Sequence, residues 1–133
     1  MIATLQEKTR PNIGAVAVNA SAGTVNGTGV SRLTDALNEV LVLLNIGAMG
    51  AAMTLDVKLQ ESTLVGSGYV DIAGAAFTQK VTATDPNTIS ELYVNLNKTA
   101  RLEFIRVVAV TAGANQVAYA VTLLFGKPRV EPT

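Results

Sequence analysis

Met53-Thr54-Leu55-Asp56-Val57-Lys58-Leu59-Gln60-Glu61 is the stretch on which the fold turns. Met53, Leu55, Val57 and Leu59 alternate with Thr54, Asp56, Lys58 and Gln60, the two-residue period of a strand with one face on a core and the other in water. Ile89 to Leu96 repeats the pattern, with Leu92, Val94 and Leu96 facing one way and Glu91, Tyr93 and Asn95 the other. Two such strands imply a sheet with one wet side, the habit of antiparallel sheets.

Upstream, Gly47 and Gly50 are expected to form the turn into the 53–61 strand. Segment 33–46 reads two ways. Leu33, Leu37, Val40, Leu41 and Leu44 fall at helical spacing, yet Val40 to Leu44 is a continuous apolar run of the kind found in buried strands, and strand is the favoured reading. Farther back, the stretch Gly14 to Gly29, with its small residues and Asn26-Gly27, suggests a short strand followed by a mobile loop. Downstream, residues 63–68 read as a loop, Tyr69-Val70-Asp71-Ile72 as a short strand, 74–81 as an edge element, and Thr84-Asp85-Pro86-Asn87 as a turn with Pro at its second position. Phe104 to Thr111 and Gln116 to Phe125 are β-rich runs joined by Ala112-Gly113-Ala114-Asn115, which reads as a hairpin link. Seven or eight short strands separated by turn signals indicate an all-β antiparallel sandwich or small barrel, and exclude a βαβ layout.

The domain expected from this pattern spans residues 13–126. Residues 1–12 read as an extended N-terminal arm, ended by Arg10-Pro11, where proline removes a donor. Residues 127–133, Lys127-Pro128-Arg129-Val130-Glu131-Pro132-Thr133, read as a C-terminal arm. No internal repeat or domain linker interrupts the chain. At 133 residues it fits one domain, able to bury roughly two thirds of its unfolded surface without a covalent staple.

Composition narrows the chemistry. Hydrophobic residues make up 49%, but with three Phe, three Tyr and no Trp the core must be aliphatic. Ten basic residues offset ten acidic ones, so no overall field exists to hold a phosphate backbone, and nucleic acid is not an expected direct partner. Low charge with high apolarity favours self-association. The absence of Cys removes disulfides and thiolate chemistry; the absence of His removes the commonest general base, nucleophile activator and metal ligand. The most apolar run, Val40 to Met53, is too short and too often interrupted for a membrane helix, which needs about 20 apolar residues. The N-terminal stretch lacks the apolar core of a signal peptide, so synthesis and use without export are expected.

Asp56, Glu61 and Asp71 are the carboxylates that could work as a hydrolytic pair, yet Asp56 sits on the polar face of its strand and the others flank a loop, where solvated carboxylates are the norm. Asp35, Glu39 and Asp85 lack the alternating oxygen ligands of a calcium loop; Asp85 is expected to shape its own turn. The Gly-rich stretch 23–29 lacks the residues of a phosphate loop. The sequons at Asn19, Asn26 and Asn97 matter only in an exported eukaryotic chain. No catalytic, cofactor or metal residue is therefore assigned, and no small-molecule substrate or membrane contact is expected. Arg101 and Arg106, flanking Leu102-Glu103-Phe104-Ile105, are expected to pair with an acid such as Glu91 or Glu103, or to reach a partner's carboxylate. Arms with apolar residues beside charges can be ordered by a neighbouring subunit. The candidate partner-binding residues are thus Leu5, Lys8, Arg10, Pro11, Arg101, Arg106, Lys127 and Arg129.

Three stretches carry a resemblance: Leu55-Asp56-Val57-Lys58-Leu59-Gln60-Glu61-Ser62, Tyr69-Val70-Asp71-Ile72-Ala73-Gly74-Ala75-Ala76-Phe77-Thr78-Gln79, and Phe104-Ile105-Arg106-Val107-Val108-Ala109-Val110-Thr111-Ala112-Gly113. They resemble small tailed-bacteriophage virion proteins of the capsid decoration or cement kind, over about Leu41 to Arg129. In place of the Asp-Asp-Gly-type turn such proteins carry, this chain has Ser62 to Tyr69. The resemblance implies a jelly-roll-like sandwich on the outer capsid surface, made in the bacterial cytoplasm, bridging major capsid protein subunits and associating with itself as a dimer or trimer. A head–tail connector or tail component, or a receptor- or carbohydrate-binding sandwich, are the alternatives. The missing Trp weighs against the last.

Overall fold

The computed structural model describes residues 9–33, 37–96 and 101–126. These form ten strands and no helix: β1 (Thr9–Ala20), β2 (Gly23–Asn26), β3 (Val30–Ser31), β4 (Glu39–Met49), β5 (Thr54–Ser62), β6 (Val70–Ala76), β7 (Lys80–Val81), β8 (Thr88–Asn95), β9 (Phe104–Ala112) and β10 (Val117–Gly126). One sheet, here sheet A, has the order β1-β10-β4-β8; the other, sheet B, has β2-β9-β5-β6, with β3 also on β9 and β7 also on β5. Every pairing is antiparallel.

The pairing is nested along the chain. β1 pairs with β10, β2 and β3 with β9, β4 with β8, and β5 with β6. Such a ribbon, wound so that its strand pairs fall alternately into two facing sheets, is a jelly roll. The expected sandwich is therefore present, and the two-residue strands β3 and β7 supplement its eight principal strands.

The core lies between the sheets and is aliphatic. β4 contributes Val40, Val42, Leu44 and Ile46, β10 contributes Val121, Leu123 and Phe125, β5 contributes Leu55, Val57 and Leu59, and β9 contributes Ile105, Val107 and Ala109, all buried. The alternation read at 53–61 holds along β5 to Glu61 and ends at Ser62, which is buried beside it; of segment 33–46, for which strand was the favoured reading, 39–46 is strand, and the strand runs on to Met49. Asp85 shapes its turn by accepting a hydrogen bond from the Val81 N–H at 2.7 Å, while Asn87 takes the left-handed conformation at φ 57.

Four expectations are corrected. Residues 9–12 belong to β1, not to an arm: Thr9 to Asn12 pair with Gly126 to Leu123, and Pro11 is tolerated because β1 is an edge strand, where one side of the backbone needs no partner. The stretch expected to be a mobile loop supplies β2, paired with β9 from Gly23↔Thr111 to Asn26↔Val108; the ladder offered by β9 outweighs weak local propensity. Gly47 lies inside β4, beside a register shift, so the turn before β5 begins only at Gly50. Residues 112–115 are not a hairpin link, because β9 is in sheet B and β10 in sheet A. Nothing local distinguishes a two-strand hairpin from an arch across the core, since both strands bury alternate apolar side chains.

Candidate functional site

The two outer faces differ in character. On sheet B a line of polar contacts crosses three strands. Lys58 Nζ lies 2.9 Å from Asp71 Oδ2, Gln60 Nε2 donates to Asp71 Oδ1 at 2.8 Å, and Gln60 Oε1 accepts from Arg106 Nη2 and Nε at 2.8 and 3.1 Å. The Arg106 guanidinium then stacks on the Tyr69 ring, 4.0 Å from its centre. The Gln60 amide, and then Lys58, hold the Asp71 carboxyl below its ordinary value. Burial raises the Tyr69 hydroxyl despite the opposing charge of Arg106.

This network anchors the loop between β5 and β6. Tyr69 Oη donates to the Val65 carbonyl at 2.7 Å, Ser62 Oγ donates to the Ser67 carbonyl, and the Leu64 N–H donates to Ser62 Oγ at 3.0 Å. Gly29 packs so closely on Tyr69 Oη and the Val65 carbonyl that a Cβ there would collide with the hydroxyl. A loop held at both ends and across its middle thus presents Leu64 and Val65 to solvent, 59% and 56% exposed. Leu33 and Val70 are likewise exposed.

Arg101 is engaged elsewhere. Its Nε lies 3.2 Å from Glu61 Oε2, in an orientation that leaves this N–H without a hydrogen bond, while the Leu102 N–H donates to the same carboxylate oxygen at 3.2 Å. Arg32 donates to the Leu102 and Arg101 carbonyls at 2.7 and 2.6 Å, and Glu103 accepts from Ser31 Oγ. The expected pairing of Arg101 or Arg106 with Glu91 or Glu103 is thus replaced by Glu61 for Arg101 and Gln60 with Tyr69 for Arg106. The two arginines do not converge. Arg10 and Pro11 lie in β1, of whose side chains there nothing is described, and Leu5, Lys8, Lys127 and Arg129 fall outside the described residues, as does Asp35.

The three carboxylates singled out as a hydrolytic set are dispersed. Asp56 accepts from Gln79, Asp71 joins the Lys58–Gln60 network, and Glu61 is buried against Arg101. Among the described residues no group of three or more His, Cys, Asp or Glu could hold a metal ion. An open hollow of about 730 Å³ at one end of the sandwich is lined by Asn19, Ser21, Asn115, Gln116 and small residues. Its amides already bond one another and the backbone: Asn19 to Gln116 at 2.8 Å and Asn115 to the Ala51 carbonyl at 2.9 Å.

Sheet A is different. The outward positions of β4 and β10 include Leu41, Leu43, Ala118, Ala120 and Leu124, flanked by Ile13 on β1 and by Ile89 and Tyr93 on β8. Ile13, Ile89 and Tyr93 are 67%, 68% and 59% exposed. Sequence reasoning missed this face because Val40 to Leu44 reads as one buried run, whereas only alternate residues point inward. The signal was available in the register: Leu41 and Leu43 stand out of phase with Val40, Val42 and Leu44.

No family model matches the chain, and no curated protein does. Among solved structures it is similar to a chain described as "Israeli acute paralysis virus heated to 63 degree - full particle", with a TM-score of 0.43 and 10% identity over 100% of this chain and 81% of that one.

Proposed function

We propose that this chain is a non-enzymatic structural protein of a tailed-phage virion, seated on the outer capsid and bridging major capsid protein subunits. The observation that carries the reading is the braced loop with Leu64 and Val65 at its tip. Exposed aliphatic side chains on a mobile loop would lose much of their contact energy to ordering, but here hydrogen bonds from Tyr69, Ser62 and Leu64 have already set the loop. Such a tip suits an apolar depression on a lattice subunit, ringed by polar groups that meet Lys58, Asp71 and Arg106. The resemblance of the 55–62, 69–79 and 104–113 stretches to decoration proteins points the same way. A protein that binds only the assembled lattice stabilises it by mass action, because opening the shell then requires the protein to be released.

Electron cryomicroscopy of particles from the source is the test. Hundreds of copies spread over the capsid lattice are expected, as lattice coverage differs from the tens of a single ring. A ring at the portal, a few distal copies or no copy on the particle would overturn the reading. Replacing Leu64 and Val65 together by Asp should lower occupancy at least about tenfold at subsaturating protein, a loss of about 1.4 kcal/mol or more in attachment, while the far-ultraviolet circular dichroism spectrum stays unchanged.

A further inference from the structure

The outer face of sheet A is built in rows. Leu124, Leu41 and Tyr93 stand side by side across β10, β4 and β8; Ile13, Thr122, Leu43 and Glu91 form the next outward row; Ala120, Asn45 and Ile89 form the one after. An antiparallel sheet that faces water ordinarily carries polar side chains at such positions, as β5 of sheet B does with Thr54, Asp56, Lys58 and Gln60. Here the two central strands present Leu41, Leu43, Ala120 and Leu124 beside Thr122 and Asn45, and the charged groups on the face among the described residues are Glu39 and Glu91, at the β4 terminus and on β8. Glu39 also accepts a hydrogen bond from Tyr93 Oη at 3.0 Å.

We infer that this face packs against the same face of a second copy of the chain. Its make-up fits that occupant: Leu41, Leu43 and Leu124 stand between the exposed Ile13, Ile89 and Tyr93, and two twisted sheets stack well about 10 Å apart with strands nearly aligned. Its area is adequate. Four strands about 4.8 Å apart and eight residues rising about 3.3 Å each give roughly 500 Å² in projection per copy, or about 1,000 Å² for the pair, which reaches the lower bound for a specific interface. Its charge permits self-pairing. The chain carries ten basic and ten acidic residues, so copies meet without net repulsion. A two-fold axis along the strands lays β8 of one copy over β1 of the other, which keeps each Glu91 away from its mate. This surface lies on the opposite sheet from the braced loop, so the inference does not rest on virion attachment.

Sedimentation equilibrium of the full chain from about 1 to about 100 μM, the span in which modest interfaces dissociate, is the experiment. A dimer is expected. Leu43→Glu, at the centre of the face, and Ile89→Glu, at its exposed edge, should each raise the dimer dissociation constant at least about tenfold, whereas Val70→Ser on sheet B should leave it unchanged. Ile89 is 68% exposed, so that variant folds whatever the fate of the central one, as its circular dichroism and melting curve will verify. A native chain that sediments as a monomer throughout, or a folded Ile89→Glu variant that dimerises as the native chain does, would overturn the inference.

Discussion

Tyr119 and Asp71 show how individual side chains are held. The Tyr119 ring is 3% exposed on the inner face of β10, and its hydroxyl is buried with no hydrogen-bond partner; burial accordingly raises its ionisation above the ordinary tyrosine value. A buried donor left unpaired costs about 1–3 kcal/mol, so Tyr119→Phe should keep the packing and leave stability unchanged or raise it by up to about 1 kcal/mol, read from the midpoint of urea unfolding. Asp71 is the contrary case, a surface carboxylate well supplied with donors. Its folded value lies below its ordinary 3.8 because Gln60 and then Lys58 favour the charged form. A depressed carboxylate contributes stability that is present above the unfolded value and is lost as pH falls through the folded one. An NMR titration should therefore place the Asp71 midpoint below 3.8, and Gln60→Ala should move it upward. A midpoint unmoved by Gln60→Ala would mean that the amide is not its main support.

Among the elements, β1 and the end of β2 meet in a tight joint. A Cβ at Gly14 would come within 2.7 Å of Val107 Cγ2 on the facing sheet, and one at Gly27 within 2.0 Å of the Gly14 carbonyl oxygen. The Gly27 N–H also donates to the Val107 carbonyl at 2.8 Å. Two glycines thus allow the edge of sheet A to close down on the edge of sheet B. Gly27→Ala must displace backbone and should cost about 1–3 kcal/mol, as overpacking does. Gly66→Ala, with nothing within 4 Å of the added atom, should change stability by less than about 0.5 kcal/mol. Equal effects in a chemical denaturation series would show that the joint relaxes more freely than its geometry indicates. Gly27 was read from sequence as part of an Asn-Gly turn; its need for close approach is visible only once β1 and β2 are brought together.

At the scale of the whole molecule, the nested pairing joins the two ends of the domain: Thr9 meets Gly126, and Ala20 meets Val117. The sandwich is therefore closed by its most distant segments, and both outer faces are fixed by that closure. One face is braced by Lys58, Gln60, Asp71, Arg106 and Tyr69, and beside it stands the loop that carries Leu64 and Val65. The other leaves Leu41, Leu43 and Leu124 at its centre. A small domain with one apolar face and one apolar tip on opposite sheets is suited to standing between two neighbours, which unites the proposed attachment with the inferred pairing of copies.

The sequence by itself determined the all-β class, the inward faces of β5 and β8 and the Asp85 turn, and favoured strand over helix for 33–46, because period-two burial and turn chemistry are local properties. It also determined that the core would be aliphatic. Only the tertiary structure decided that 112–115 arches between sheets, that residues 9–12 and 23–26 are strands, and that Arg101 pairs with Glu61 while Arg106 rests on Gln60 and Tyr69. Each of these depends on a partner far away in the chain, and a strand's partner, unlike its period, leaves no mark in the residues themselves. The outer face of sheet A was half legible. Leu41 and Leu43 were in plain view within an apolar run, but which of its residues would face water was settled only when β10 and β8 took their places on either side of β4.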